Sequence, residues 1–504
     1  MSTPVAEPKD EGLDRRLLAI ASVVVLGAIM SILDTTVVNV AINTLSRDFH
    51  TDLATIQWVV TGYTLALATV IPITGWAADR FGTKRLYMLS IALFLGGSAL
   101  SGAAWSDTSL IAFRVLQGFG GGMLMPAGMT ILTRAAGPQR VGRVMAIIGV
   151  PMLLGPILGP ILGGWLVDDV SWRWIFFINL PIGVVAFLLA QRILPRDEPA
   201  PHERFDTLGL FLLSPGLALV IYGLAKSTSA GGFGAEEVWG TALAGFVLLG
   251  LFVWHALRTP HALVDLRLFK NRVFTASSVT LVLMIISVFG GMLLLPLYLQ
   301  AVRGESALDS GLLLAPQGLG AMLVMPIAGK LTDKTGVGRI VIPGLLILFA
   351  STFGLTQLSG DTSYWVTSAI LFVMGVGMGF SMMPLFSGAM QTLRRAAIAR
   401  ASTSLNIMQQ VGASIGTAVM SVILSEALKD KLGDQAAGGI GAAPRELPLE
   451  VRDLMASAFT HTYWVALALI VPALLAALLL PRRKPEPVED DEADGDAAPV
   501  LMHA

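Results

Sequence analysis

The chain has 504 residues, of which 54% are apolar and 14% are charged, and its mean hydropathy is +0.72. Its 34 basic residues are balanced by 35 acidic ones, so no overall positive field suggests nucleic acid as a partner. Cysteine is absent and the six histidines have no ligand spacing, which excludes disulfides, thiolate catalysis and cysteine metal sites. We therefore predict a polytopic membrane protein that is not an enzyme and needs no cofactor.

Apolar runs of about 17 to 25 residues predict fourteen membrane-spanning helices in an all-α protein. A β-barrel is disfavoured, because its strands would be about 10 residues long with alternating polarity. The predicted spans are 17–38, 56–78, 86–105, 109–132, 144–167, 174–191, 207–225, 238–257, 273–299, 308–329, 340–358, 364–391, 402–424 and 462–480.

The first predicted span contains one acid, Asp34, with no lysine or arginine beside it. A charged carboxylate at the centre of a membrane helix costs about 2.5 to 3.5 kcal/mol on insertion scales. Burial favours the neutral form, so Asp34 could hold a proton and release it when water or a cation arrives. Asp34 is thus a candidate functional acid, and the alternative is an acid that snorkels to the outer surface or caps a neighbouring helix.

Arg114 is the only basic residue inside a predicted span. An unpaired guanidinium is costly there, so Arg114 needs an acid or backbone carbonyls nearby. Asp34 is the candidate acid in the same bundle. The two residues would serve proton coupling or would form a purely structural buried pair.

The basic residues alternate between the predicted loops. With a cytoplasmic N-terminus, 25 of them fall on inner segments and 8 on outer loops, and Arg114 accounts for the remaining one. This asymmetry follows the positive-inside rule. We therefore predict a multi-pass membrane protein with both termini in the cytoplasm.

An internal repeat divides the chain. The segment 75–85 follows span two and 329–339 follows span ten, with glycine, Asp, glycine and Arg at the same four offsets. Met-Pro pairs at 125–126 and 383–384 recur at nearly the same displacement. The repeat predicts two six-helix bundles with an inserted pair of helices between them. The predicted divisions are a cytoplasmic N-terminus 1–16, an N-terminal bundle 17–192, a linker with two inserted helices 193–257, a C-terminal bundle 258–480 with a long outer loop 425–461, and an acidic disordered tail 481–504.

Two further motifs have a direct physical interpretation. Asp79 lies at a short inner loop among basic residues, where it could cap a helix or bridge the two bundles. In span five, Gly155, Gly159 and Gly163 share one helix face, and prolines such as Pro160 remove backbone donors. This helix is predicted to kink and to pack closely.

On these residues the chain resembles the major facilitator superfamily, in particular its 14-helix drug:proton antiporter branch, which includes quaternary-ammonium efflux pumps. The resemblance covers nearly the whole chain. Its motifs are the loop 75–85, the fourth-helix motif 110–120, the antiporter motif 155–164, and the branch signatures 33–41 and 172–181.

The resemblance implies an exporter of lipophilic, often cationic drugs or antibiotics that is driven by protons through alternating access. It also implies a location in the cytoplasmic membrane of a bacterium. The second loop copy lacks the Lys-Arg pair at its end, which argues against an equal gating role for it. The implied residues are Asp34 and Arg114 for proton coupling, Asp79, Arg80, Gly82, Arg85 and Asp333 for gating, and Gly155, Gly159, Pro160, Gly163 and Gly164 for the antiporter helix.

A substrate cavity is predicted where methionine and aromatic side chains offer an adaptable surface. The expected partners are a small lipophilic substrate, protons and membrane lipid, with no nucleic acid, and the need for an adaptor protein is open. The predicted cavity residues are Asn39, Met123, Met125, Phe289, Phe380, Met383 and Phe386.

Three alternatives stay open on the sequence. One is a dedicated exporter of a single metabolite, antibiotic or lipid, which would share every motif. The others are an uptake symporter and a non-transporting membrane sensor or scaffold. A directly ATP-driven pump is excluded by the lack of a Walker A motif.

Overall fold

The computed structural model describes residues 14–51, 53–137, 140–196, 205–227, 236–259, 262–394, 397–432 and 449–483. The predicted tail from residue 484 onward lies outside these residues, as do the side chains of Asn39 and Pro160.

The described ranges contain sixteen α-helices and no β-strand. A short π-helical turn, Leu166–Val170, ends the sixth helix, and a 3-10 turn, Leu266–Lys270, precedes the eleventh. The helices are α1 (Arg15–Asp48), α2 (Leu53–Ile56), α3 (Trp58–Phe81), α4 (Thr83–Gly102), α5 (Asp107–Ala136), α6 (Val141–Trp165), α7 (Trp174–Phe177), α8 (Asn179–Ile193), α9 (Thr207–Ser227), α10 (Glu236–Arg258), α11 (Arg272–Ala301), α12 (Ala307–Thr335), α13 (Val337–Leu355), α14 (Tyr364–Gln391), α15 (Ile398–Leu432) and α16 (Leu449–Ala477).

The helices match the predicted all-α membrane fold. Among the described residues, thirteen helical segments are long and apolar enough to cross a membrane, with α7 and α8 together forming one of them. The 25-residue helix α6 lies between the fourth and fifth of these segments and corresponds to the fifth predicted span. The prediction of an all-α polytopic membrane protein is therefore confirmed, and the predicted count of fourteen helices is consistent with these thirteen segments together with α6.

Several helices are longer than the apolar runs that predicted them. Helix α1 continues to Asp48, α15 to Leu432, and α16 begins at Leu449. Residues 425–432 and 449–461, which were assigned to a long outer loop, are therefore helical. An apolar run ends where a helix leaves the hydrocarbon, whereas polar residues can continue the same backbone hydrogen bonding in water.

The helices form two bundles of six. In the N-terminal bundle α5 packs on α3 and α4, while α1 packs on α6 and α8. In the C-terminal bundle α14 packs on α12 and α13, while α11 packs on α15 and α16. The exact division points 192 and 257 stay predictions.

The inserted helices α9 and α10 pair with each other beside the junction of the two bundles. Helix α9 contacts α3 of one bundle and α15 of the other. The Ser214 hydroxyl donates to the Thr69 carbonyl at 2.7 Å, and Trp58 stacks on Tyr222 with ring centroids 5.8 Å apart. Helix α9 thus lies against both bundles, and α10 packs on α9.

We call the end of the molecule that carries the loop segments 79–85 and 333–339 the basic face. Here the two bundles meet through related helices, α3 and α5 against α15, and α12 and α14 against α6. Gly142 of α6 lies so close to Gly329 of α12 that a Cβ on either would clash with the other's carbonyl oxygen. The Ser402 hydroxyl of α15 donates to the Pro126 carbonyl of α5 at 3.1 Å. These contacts join the bundles toward the basic face.

Candidate functional site

Asp34 lies in the interior of the N-terminal bundle, where it pairs with Arg114. Arg114 Nη1 is 2.6 Å from Asp34 Oδ2, and the two side chains are 1% and 0% exposed. Residues 80 positions apart are brought together because α1 and α5 pack in the same bundle. The acid does not snorkel to the surface, and its role in proton coupling stays a prediction.

Two amide side chains complete the environment of the carboxylate. Gln117 Nε2 donates to Asp34 Oδ1 at 2.7 Å, and Gln117 Oε1 accepts from Arg114 Nη1 at 2.8 Å. Asn179 Nδ2 donates to Asp34 Oδ1 at 3.2 Å. Each carboxylate oxygen therefore accepts at least one hydrogen bond, as a buried charge requires. We call Asp34, Arg114, Gln117 and Asn179 the polar cluster.

Gln117 was named in the fourth-helix motif but was given no role there, and Asn179 lies in the signature 172–181 without being singled out. Gln117 stands three residues after Arg114, a spacing that places the two side chains on one helix face. That spacing was a usable signal for Gln117. Asn179 begins α8, and no local pattern relates it to Asp34.

The guanidinium of Arg114 is held from two further sides. Its Nε donates to the Val59 carbonyl at 3.2 Å, and its Cζ lies 4.1 Å from the centroid of the Tyr63 ring. The Phe176 ring lies on it at 5.6 Å. Cation–π contacts of this kind strengthen when the cation is desolvated. Arg114 is therefore oriented by α3 and by the segment before α8, as well as by Asp34.

The first loop copy forms a contact within its own bundle. Asp79 Oδ1 accepts from Arg134 Nη2 at 2.8 Å, and both residues belong to the N-terminal bundle. Gly82 joins α3 to α4 with φ +86°, a conformation that favours glycine. Arg80 is half-buried and Arg85 is exposed.

The second loop copy reaches across to the other bundle. Asp333 of α12 accepts from the backbone N–H of Gly142 at 2.9 Å and from that of Arg143 at 3.2 Å, at the start of α6. Gln391 Nε2 donates to Asp333 Oδ1 at 3.1 Å. A carboxylate at a helix N-terminus satisfies free N–H groups and opposes the helix dipole. The copy expected to be the weaker gate thus supplies a direct hydrogen-bonded bridge between the bundles.

The glycines of α6 pack against α1, the helix that carries Asp34. A Cβ at Gly155 would overlap the Ile32 side chain, and one at Gly159 would overlap the Thr36 hydroxyl. The Thr36 hydroxyl also donates to the Gly155 carbonyl at 3.2 Å. Gly163 approaches Val37, whereas a Cβ at Gly164 would meet nothing within 4 Å. The predicted close packing is therefore with α1, and Gly164 takes no part in it.

The predicted cavity residues differ in exposure. Met123 is buried, and Met125, Phe289 and Phe380 are half-buried. Met383 and Phe386 are 0% exposed. Met383 lies against α6, where its Cγ would be 2.7 Å from a Cβ at Gly149. In this conformation Met383 and Phe386 present no surface to solvent, and substrate contact by the set stays a prediction.

The fold and the buried charge pair in its interior define a multi-pass membrane protein of the transporter type. The family model of the Major Facilitator Superfamily matches residues 24–417, and the chain belongs to this superfamily. The chain is 45% identical over 512 residues to the Multidrug resistance protein B homolog of Mycobacterium tuberculosis strain H37Rv, covering 96% of this chain and 94% of the relative.

Two further comparisons extend this result. The Tetracenomycin C resistance and export protein of Streptomyces glaucescens is 32% identical over 438 residues, with 86% of this chain and 80% of the relative covered. A crystal structure of a double tryptophan mutant of XylE matches with a TM-score of 0.62 at 16% identity, over 94% of this chain and 97% of that one. The structural similarity supports the fold, and the named relatives are drug-efflux transporters of the same superfamily.

Proposed function

We propose that this protein exports lipophilic, commonly cationic drugs or antibiotics across the cytoplasmic membrane of a bacterium in exchange for protons. The proposal assigns the basic face to the cytoplasm. The relatives named for multidrug resistance and for antibiotic export support the substrate class. The carboxylate of Asp34, buried within the polar cluster, is the observation that carries the proton-coupling part.

The exchange follows from the two states of one carboxyl group. Ionised Asp34 is stabilised by Arg114, Gln117 and Asn179, and protonation removes the charge that holds this cluster together. A lipophilic cation entering the bundle would favour the ionised form, and a proton would displace it. Because the proton and the cation compete for the one negative charge of Asp34, binding of either promotes release of the other.

Alternating access then requires the two bundles to separate at the basic face. The hydrogen bonds from Gly142 and Arg143 to Asp333 hold that face closed. Helix α6 begins beside Asp333 of the other bundle and, further along its length, contacts the Asp34 helix through Thr36. Helix α6 is therefore the element that would couple a change at Asp34 to the hydrogen bonds of Asp333 at the basic face.

The competition for one carboxylate also indicates which gradient drives transport. A one-for-one exchange of a proton for a monovalent cation moves no net charge. Such a cycle draws on the pH gradient, at about 1.36 kcal/mol per pH unit, and not on the membrane potential.

A dedicated exporter of a single compound is the second candidate. The similarity to a relative named for resistance to one antibiotic, tetracenomycin C, favours it specifically. A panel of dyes, quaternary ammonium salts and polyketide antibiotics in one efflux assay separates the two, because a dedicated exporter would move one chemical type and a multidrug pump several.

The test of proton coupling uses purified protein in liposomes with an imposed pH gradient and ethidium as the probe. We expect the gradient to drive ethidium transport by the native protein and Asp34→Asn to abolish this transport while the protein still folds. Asp107→Asn serves as the matched control, because among the described residues the hydrogen bonds of Asp107 go to its neighbour Thr108 at the start of α5. Gradient-driven transport of undiminished rate in Asp34→Asn would overturn the assignment.

A further inference from the structure

Asn179 has two hydrogen-bonding partners on different helices. Its Nδ2 group donates to Asp34 Oδ1 on α1 at 3.2 Å and to Ser98 Oγ on α4 at 3.1 Å. Ser98 in turn donates its hydroxyl proton to the Phe176 carbonyl at 2.9 Å. Both Asn179 and Ser98 are 0% exposed. A four-member chain therefore connects the backbone before α8 with the carboxylate.

The chain determines which end of the amide faces Asp34. A serine hydroxyl has one proton, and Ser98 uses it on the Phe176 carbonyl, so Ser98 Oγ can only accept from Asn179. The amide nitrogen must then point toward Ser98 and Asp34. Asn179 Oδ1 points elsewhere and has no hydrogen-bond partner among the described residues.

This orientation discriminates between the two forms of Asp34. An N–H donor stabilises an ionised carboxylate and offers nothing to the O–H of a protonated one. The amide oxygen that could accept that O–H is turned away, where its lack of a partner is itself unfavourable. Loss of the Ser98 contact would let the amide rotate and accept from the protonated acid.

We propose that Asn179, oriented by Ser98, is a positioning residue that sets the proton affinity of Asp34. Its amide N–H donates to the ionised carboxylate and offers nothing to the protonated acid, which favours release of the proton when the substrate arrives. The inference rests on the proposed function, since it concerns the same carboxyl group. The other groups facing Asp34 are the charged Arg114 from α5, the titratable Tyr63 from α3 and the neutral Gln117 from α5.

The experiment measures protonation of Asp34 directly, without any substrate. Infrared difference spectra of the purified protein in lipid nanodiscs are recorded as a function of pH. The carbonyl-stretch band of the protonated acid is assigned to Asp34 by its loss in Asp34→Asn. The midpoint of this band is then compared between the native protein and the variants Asn179→Leu and Ser98→Ala.

We expect Asn179→Leu to shift the midpoint to higher pH by about one unit, because a hydrogen bond to the ionised form is lost. Ser98→Ala should shift the midpoint in the same direction by less, because the Asn179 amide is still present but is no longer held in one orientation by Ser98. Ser101→Ala is the matched control, because Ser101 is also buried on α4 and its hydroxyl has no hydrogen-bond partner among the described residues. It should leave the midpoint unchanged.

The outcomes separate the two proposals. An Asp34 band that titrates at the same pH, or at lower pH, in Asn179→Leu overturns this inference and leaves the proposed function intact. A native protein without any titrating band from Asp34 overturns both. If Asn179→Leu fails to fold, as judged by size-exclusion chromatography, the midpoints of Ser98→Ala and Ser101→Ala are compared instead. A midpoint at higher pH in Ser98→Ala than in Ser101→Ala supports the inference, and equal midpoints overturn it.

Discussion

At the scale of single residues, the polar cluster is a charge pair whose cost is offset by its partners. Moving a carboxylate or a guanidinium out of water costs several kcal/mol per ion even after relaxation. Arg114 and Asp34 recover this through their ion pair, the two amides and the Val59 carbonyl. Removing one partner leaves the rest of the cluster without compensation.

We predict that Arg114→Met destabilises the protein by about 3 to 5 kcal/mol, the usual cost of breaking a buried pair. The loss should shrink at low pH, because protonation neutralises the stranded Asp34. The double variant Arg114→Met with Asp34→Leu should be more stable than Arg114→Met alone. Unfolding in detergent, monitored by circular dichroism at neutral and at low pH, measures the stability of the native protein, of Arg114→Met and of the double variant.

The control for this prediction is Arg85→Met, because Arg85 is an exposed basic residue of the same bundle. Its effect should remain within about 0.5 kcal/mol. Equal losses of stability for the variants at positions 85 and 114 would contradict the argument.

At the scale of elements, the contact of α6 with α1 depends on glycine at specific turns. Gly155 and Gly159 allow the backbone of α6 to approach Ile32 and Thr36, and Thr36 donates a hydrogen bond into the contact. Small residues are the usual means by which membrane helices approach closely. The same helix begins at Val141, and its first turn meets Asp333 of the other bundle through the backbone N–H of Gly142.

Substituting two glycines of α6 should therefore have opposite effects. Gly159→Ala places a methyl group on the Thr36 hydroxyl and should cost about 1 to 3 kcal/mol through overpacking. Gly164→Ala meets no neighbour and should be neutral or stabilising by up to about 1 kcal/mol, because alanine favours a helix. Thermal unfolding and ethidium efflux by the two variants measure the difference. Similar losses in both would refute the role of the α1 contact.

At the scale of the whole molecule, the two bundles are joined at the basic face by contacts that follow the internal repeat. Helices α3 and α5 meet α15, and the equivalent helices α12 and α14 meet α6. Within this arrangement Asp333 accepts hydrogen bonds from the opposite bundle. Opening the basic face must break these bonds.

We predict that Asp333→Asn shifts the molecule toward states open at the basic face. The substitution removes the charge and turns one acceptor oxygen into a donor facing backbone N–H groups. A hydrogen bond to a charged group is worth about 1.5 to 3 kcal/mol, so the population ratio should change roughly tenfold or more. Spin labels at Phe81→Cys and Lys330→Cys report the separation, because the chain has no cysteine of its own.

Asp265→Asn is the control, since Asp265 accepts from the backbone N–H of Arg267 within its own segment. It should leave the distance distribution unchanged. An unchanged distribution in Asp333→Asn would show that the bridge does not hold the face closed.

The sequence predicted those features that depend on strong local energetics. Asp34 and Arg114 stand out because ionisable residues are rare in apolar spans, and the fourteen spans follow from run length alone. The helix ends beyond the membrane were missed, because water tolerates both helix and loop there. Asn179 was also missed, because neutral amides are common and carry no such signal. Asp333 was predicted as a gating residue of the weaker loop copy, and only the structure shows its buried carboxylate accepting hydrogen bonds from α6 of the other bundle.

The sequence by itself determined the membrane class, the number of helices, the repeat and the pair of buried charges, because the cost of polar groups in lipid is local to each span. Tertiary structure alone decided which groups surround Asp34, that Gly155 and Gly159 pack on its helix, and that the second loop copy bridges the bundles. These are contacts between residues distant in sequence. Their geometry depends on how the helices cross, which residue order along the chain does not encode locally.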